Sequence, residues 1–411
     1  MTIATHYQPT DEMSLWWLGE PKTPTLIGHL QFIPTMRGVG LRYDANWLRQ
    51  GFALSEDLPL REHTFLPSAK DSAVGATDDA RPDRWGERII RTFDRPDRLS
   101  LMEYLYFAGD NRFGALGVSL SAKTYQPHST GPLPQLPELD SIEASIAEIF
   151  SGAPVNARLM RLVNPGASMG GARPKALIEL AEEQWVLKFC EEGESSDTPL
   201  IEHATMTLAR LCGIQVAETK ALPLRKGHAV AVRRFDRLAG KRIHSLSASV
   251  VLRACAEDMS YSALALWLRR KGSVKSGQAG LDMRELFRRM VFNILIDNND
   301  DHEKNHVVQM DDTGFYRLSP AFDVLPTGQA LGFQQMRVGI QGTESTLDNA
   351  ISEHHLFGLT YDEAAAEIAQ VARCVDGWAT HFKAAAVSAS DLKQLTAQID
   401  RPCLLNQRLA W

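Results

Sequence analysis

One change of pattern constrains this chain more than any other: a β-rich middle gives way, at Leu246, to a half that is helical almost throughout. In the middle, Lys175–Leu180 and Gln184–Cys190 read as a hairpin across Ala181-Glu182-Glu183. Val216–Leu224 and His228–Phe235 read as two more strands around Arg225-Lys226-Gly227. Between the pairs, Ile201–Cys212 has helical spacing, with Ala204, Leu208 and Leu211 inward and Gly213 as its stop. Past Leu246, helices are expected at Ala248–Ala256, Tyr261–Arg270, Met283–Ile296, Tyr361–Cys374 and Trp378–Val387. Strand-like residues over Asn305–Tyr316 interrupt them. This succession predicts an α+β, two-lobed layout of the kind in which nucleotides bind at the seam.

The first 150 residues read as α+β in their own right. Thr25–Pro34 and Gly38–Tyr43 are strands meeting around Thr35-Met36-Arg37-Gly38, and Asp71–Asp79 is loop. Pro82–Phe93 is a helix that sets Trp85, Ile89, Ile90 and Phe93 on one face, and Leu101–Ala108 is a second. Pro127, Pro132, Pro134 and Pro137 make Tyr125–Leu139 a connector, after which Ser141–Phe150 is helical, carrying Ile142, Ile146 and Ile149. The expected division is an N-terminal subdomain over 1–150, a β-rich small lobe over 151–240 and a helical lobe over 241–411.

Composition narrows the function classes. At roughly 100–200 residues per domain, 411 residues suggest two or three domains, and 44% apolar content excludes disorder as the main state. The net charge of −6 offers no overall attraction to nucleic acid or to an anionic membrane. Five widely separated cysteines without a C-x-x-C pair argue against disulfide scaffolds and thiolate zinc sites. Met1–Asp11 lacks a basic-then-apolar leader, and apolar stretches such as Ala263–Leu268 fall far short of the ~20 residues that span a bilayer. A soluble, cytoplasmic protein without a membrane partner is expected. No internal repeat of roughly 20–50 residues points to a solenoid.

Four short segments carry chemistry. Asn298-Asn299-Asp300-Asp301-His302-Glu303-Lys304-Asn305 follows the apolar helix containing Phe292 and Ile296. Its D-x-x-x-x-N spacing, Asp300 to Asn305, is that of protein-kinase catalytic loops, where the Asp accepts the hydroxyl proton and the Asn holds a metal ion. Asp323, in Leu318-Ser319-Pro320-Ala321-Phe322-Asp323, follows an apparent hairpin, where kinases place their metal-binding Asp. Upstream, the small residues of Asn164-Pro165-Gly166-Ala167-Ser168-Met169-Gly170-Gly171-Ala172-Arg173-Pro174-Lys175 let backbone N–H groups approach phosphates, although this is not a Walker A loop. Lys188, amid Trp185-Val186-Leu187-Lys188-Phe189, needs an anionic partner, such as phosphates with help from Glu202. Arg233-Arg234-Phe235 closes a strand at the junction of the two halves, where backbone groups can meet an adenine. Singly, each segment has a plain structural reading as solvated loop, turn, edge-strand lysine or basic strand end.

Together these segments resemble the HipA family of serine/threonine kinases, the toxin components of bacterial HipBA toxin–antitoxin systems. The likeness rests on Ser168-Met169-Gly170-Gly171-Ala172-x-x-Lys175, Arg234-Phe235-Asp236-Arg237, Asp300-Asp301-His302-x-Lys304-Asn305-His306 and Ser319-Pro320-x-x-Asp323. Arg81-Pro82-Asp83-Arg84-Trp85-Gly86 and Gly109-Asp110-Asn111-Arg112-Phe113-Gly114 are similar to motifs of the family's N-terminal subdomain. The resemblance implies a distantly protein-kinase-like fold, ATP and Mg2+ as cofactors, and a DNA-binding, HipB-like antitoxin that mediates any contact with DNA. It also implies a protein substrate such as an aminoacyl-tRNA synthetase. Carried over, Asp300 is the general base, Lys188 the phosphate-binding lysine and Glu202 its supporting partner. Gly170, Gly171, Ala172, Arg173, Pro174 and Lys175 cover the phosphates, and Arg233, Arg234 and Phe235 form the adenine hinge. His302 and Lys304 face the nucleotide, Asn305 and Asp323 hold magnesium, and Ser168 is the site of self-inactivating autophosphorylation. Arg233 departs from the acidic residue frequent at that hinge position. Two rivals share parts of this pattern: a small-molecule phosphotransferase and a catalytically idle co-repressor bound to an antitoxin. A metal hydrolase suggested by His302, His306, His354 and His355 lacks ligand spacing.

Overall fold

The computed structural model describes residues 7–129, 131–151, 162–166 and 171–411. The chain divides into two compact units, one formed by residues 1–186 with 236–246 and the other by 187–235 with 247–411. The first unit is built on a five-stranded antiparallel sheet in the order Thr64–Phe65, Gly38–Tyr43, Thr25–Ile33, Glu12–Trp17, Leu116–Ser119. Its central strands meet in a tight turn in which Met36 N and Arg37 N donate to Ile33 O and Pro34 O, both at 3.1 Å. Leu15, Ile27, Leu30 and Leu41 are wholly buried on the sheet, as are Ile89, Ile90 and Leu105 on the helices Arg84–Phe93 and Leu101–Phe107. The helix Leu139–Ser151 buries Ile142, Ile146 and Ile149, the stripe its spacing predicts.

In the second unit, Thr219–Pro223 and His228–Arg233 pair antiparallel, with Gly227 at φ +73 in the turn. The helix Thr198–Leu211 starts on Asp197, whose carboxylate accepts from Leu200 N, with Pro199 in its first turn. The long helix Gln278–Leu295 is buried on every face from Arg289 to Leu295, so the end that leads into the Asn/Asp-rich string is wholly enclosed. It packs on the helices Tyr261–Lys271 and Tyr361–Asp376. The strands Val307–Met310 and Tyr316–Leu318 pair antiparallel between the string and Asp323. Among the described residues no helix is long and apolar enough to cross a membrane.

Several expectations change. Leu211 is 67% exposed; Cys212, one residue later, takes the inward place because the helix turns off into Gly213 at φ +82. Part of the expected loop Asp71–Asp79 is a 3-10 helix, Gly75–Ala80, stapled by Asp78 Oδ1 accepting from Ala73 N at 3.0 Å and Arg81 at 3.1 Å. The long helix begins five residues earlier than its apolar spacing suggests, because Gly277 and Gly280 dilute the periodic signal. Leu347–Ser352, Ala389–Ile399 and Pro402–Ala410 are further helices. Position 150 falls in the last turn of the helix Leu139–Ser151, and position 240 in the tight turn between the paired segments Arg237–Leu238 and Lys241–Arg242.

Candidate active site

The second unit gathers three charged groups, two of them 14 residues apart and the third 135 residues from Lys188. Lys188 Nζ lies 2.6 Å from Glu202 Oε1 and 2.6 Å from Asp323 Oδ1. Lys188 ends the strand Glu183–Lys188, and Glu202 sits in the second turn of the helix Thr198–Leu211. Both side chains are 2% exposed, whereas Asp323 is 16% exposed. Burial works against the ammonium, but the Asp323 and Glu202 carboxylates outweigh it and hold the Lys188 pKa above its ordinary value. Asp323 has φ +58, a left-handed conformation uncommon for a residue with a side chain. The segment before it is well held: Ala321 N donates to Gln215 O at 2.8 Å, and Ala217 N donates to Ala321 O at 2.9 Å. Buried Arg289 reaches Ser319 O at 2.7 Å and Glu285 Oε1 at 3.0 Å from the long helix.

The Asn/Asp-rich string sits at the end of that helix. Asp297 N and Asn298 N turn back onto Ile294 O and Asn293 O, at 3.3 and 2.9 Å, closing the helix in a Schellman motif. Asp300 is exposed, while its neighbour Asp301 is buried and accepts from His306 Nε2 at 2.8 Å and from the Tyr261 hydroxyl. Burial pushes the Asp301 carboxyl up, but His306 and Tyr261 outweigh it and leave its pKa below the usual carboxylate value. Asn305 Nδ2 donates to Asp300 O at 3.4 Å, and Asn305 N donates to His302 O at 2.9 Å. That orientation leaves the amide oxygen Oδ1 as the side chain's remaining acceptor. His302 Nδ1 is buried and accepts or donates no hydrogen bond among the described residues, and Lys304 is exposed. A small cavity is lined by Asn293, Asp301, Asn305 and His306 together with Phe322 and Val324, the neighbours of Asp323. Asn305 and the Asp323 segment therefore face one space.

At the end of the strand His228–Arg233, Arg233 N donates to Glu218 O at 2.9 Å, so this N–H already has a partner within the sheet. Phe235 O accepts from Gln309 Nε2 at 3.1 Å, and the Phe235 ring lies 5.2 Å from that of Phe322. Arg234 is buried.

The glycine-rich segment belongs to the first unit. Ser168 and Gly170 lie outside the described residues; Gly171 and Ala172 are exposed, Arg173 is half-buried and Pro174 is buried. Lys175 is wholly buried, its ammonium held by Asp83 and by Gly171 O at 2.8 Å, so its side chain braces the segment from within. Trp85 Nε1 also donates to Lys175 O, at 2.8 Å. A side chain at Gly86 would meet Pro165 O at 2.3 Å, and only glycine lets that turn approach so closely. The motif Arg81–Gly86 thus supports the glycine segment directly, a role that the sequence did not indicate. Asp301 and His306 stood in the motif without a role, whereas Arg289, which holds the segment before Asp323, and Tyr261, which donates to Asp301, carried no signal of their own.

Among the described residues no cluster of three or more His, Cys, Asp or Glu forms a self-contained metal site. Asn305 Oδ1 and the Asp323 carboxylate are hard oxygen donors of the type that, with phosphate oxygens, suits magnesium.

Residues 167–379 match the HipA-like C-terminal domain, and residues 23–119 match the HipA N-terminal domain. In Sinorhizobium fredii, "Putative kinase Y4mE" is 24% identical over 77% of each chain. "Putative kinase Y4dM" of the same organism is 30% identical over 35% of this chain, a match spanning 37% of that relative's own length. The fold is shared with HipA of Shewanella oneidensis MR-1, solved with HipB and its operator DNA, at a TM-score of 0.66 and 17% identity over 97% of each chain. With both domains matched in order along a chain of this fold, the protein belongs to the HipA family.

Proposed function

We propose that the chain is an ATP- and magnesium-dependent serine/threonine protein kinase. The observation that carries this reading is the buried contact of Lys188 with both Glu202 and Asp323, which holds an ammonium and a metal-type carboxylate side by side. Asn305 and Asp323 would hold magnesium, which when bound neutralises phosphate charge and orients the phosphoryl group. Lys188, kept charged by Glu202, donates to phosphate oxygens. The exposed Asp300 carboxylate orients a target Ser or Thr hydroxyl and accepts its proton, while Asn305 Nδ2 fixes the Asp300 backbone. His302, with its buried Nδ1, and Lys304 flank this loop and meet the nucleotide. The glycine segment 170–175 covers the phosphates, and the backbone around Arg233–Phe235 receives the adenine through groups other than Arg233 N.

The family and the Shewanella complex support a HipB-like, DNA-binding antitoxin as partner, with DNA reached only through it. A translation component such as an aminoacyl-tRNA synthetase is the proposed substrate, and Ser168 the site of self-inactivating phosphorylation. Incubation with ATP and Mg2+ followed by intact-mass measurement and peptide mapping tests this. One added phosphate at Ser168 is expected. Label appearing in small metabolites instead, with none on protein, would favour a small-molecule phosphotransferase.

A further inference from the structure

The catalytic string begins with an outlier. Asp297 occupies the C′ position of the Schellman turn at φ +61, where glycine is the favoured residue. Its side chain is nevertheless wholly buried, and its Oδ2 accepts from Arg401 NH1 at 2.5 Å. An unfavourable backbone conformation and a buried carboxylate persist together only where their surroundings hold them, and such positions concentrate at functional sites. Asp297 O accepts from Thr327 N at 3.1 Å and from Thr327 Oγ1 at 3.2 Å, and Asn299 N donates to the same hydroxyl at 3.2 Å. One residue further on is Asp300.

Arg401 precedes the helix Pro402–Ala410, beyond residues 167–379 that match the family's C-terminal domain. This helix is itself anchored. Arg408 NH1 donates to Ile399 O at 2.6 Å, Trp378 Nε1 donates to Asp400 Oδ1 at 3.0 Å, and Leu347 N donates to Gln407 Oε1 at 2.7 Å.

We infer that Arg401 is a positioning residue: by clamping Asp297, it uses the anchored helices after residue 388 to hold Asp300 in register. The inference rests on the kinase reading for its catalytic consequence but not for its structural one. In the full chain, with ATP and Mg2+ as the probe, Arg401→Met is expected to lower the rate of self-phosphorylation about 10-fold while leaving the KM for ATP within about 2-fold, the signature of lost geometry rather than lost binding. Asp297→Gly removes both the strained conformation and the buried charge, so in that background Arg401→Met should have little further effect. An equal effect in both backgrounds, or none in either, overturns the inference.

Amide hydrogen exchange at Asn298 and Asn299 gives the second measurement. It should accelerate at least ~10-fold in Arg401→Met and not in the double variant. Unchanged exchange refutes the clamp. If the native chain transfers no phosphate, the kinase reading falls, yet the exchange experiment still decides the clamp. Arg401→Lys, which keeps the charge but not the guanidinium fork, serves the same comparison should Arg401→Met fail to fold.

Discussion

Replacing Lys188 with methionine probes the charge triangle most directly. The substitution keeps most of the apolar stem and removes the ammonium that lies 2.6 Å from two carboxylates. Asp323, 16% exposed, has water nearby to offset the loss; Glu202, at 2%, has almost none. Removing one partner of a buried ion pair costs about 3–5 kcal/mol, and the Glu202 side places Lys188→Met in that range at pH 8. The loss should depend on pH with a definite sign. In the variant, burial without the ammonium raises the Glu202 carboxyl above its unfolded value of about 4.3, so stability declines as pH rises through the new folded pKa. Denaturant unfolding should therefore show the gap from the native chain narrowing from pH 8 to pH 5. In the native chain the raised Lys188 pKa contributes stability present below about 10.4 and lost only at higher pH, so Lys188 adds no slope of its own across that window. Adding Glu202→Gln to the variant should recover most of the loss. A loss under about 1 kcal/mol, flat with pH and unaffected by Glu202→Gln, would refute the reasoning, since that is the scale of an exposed pair.

Three further outcomes are expected. Asp300→Asn should slow phosphate transfer roughly 10²–10⁴-fold, the range for losing a positioned base, with stability changed by less than about 0.5 kcal/mol because the residue is exposed. Near-normal transfer would remove Asp300 from the mechanism. Asp323→Ala should abolish magnesium-dependent ATP binding measured by calorimetry; equal affinity with and without the substitution would overturn that assignment. Lys175→Met and Asp83→Asn should each destabilise by on the order of 3 kcal/mol and combine to far less than their sum, because either one breaks the same contact. Additive losses in a double-mutant cycle would show the pair to be independent.

Much of the architecture was legible from neighbouring residues alone. The turn at Gly227, the body of the helix from Ile201 onward, the stripe Ile142, Ile146, Ile149 and the hairpin before Asp323 all follow from periodicity and turn chemistry acting over a few positions. The spacing from Asp300 to Asn305 is equally local, and so it was readable. Leu211 and Cys212 mark the boundary of that legibility: both suit a buried face, and only the direction in which the chain leaves the helix chose between them.

The contacts that hold the candidate site together are of another kind. Lys188 meets Asp323 across 135 residues, Arg401 meets Asp297 across 104 and Lys175 meets Asp83 across 92. No local preference selects such partners. They are chosen when packed helices and strands bring a buried charge to the place where an opposite charge can offset its desolvation, and that requirement exists only once the core has formed.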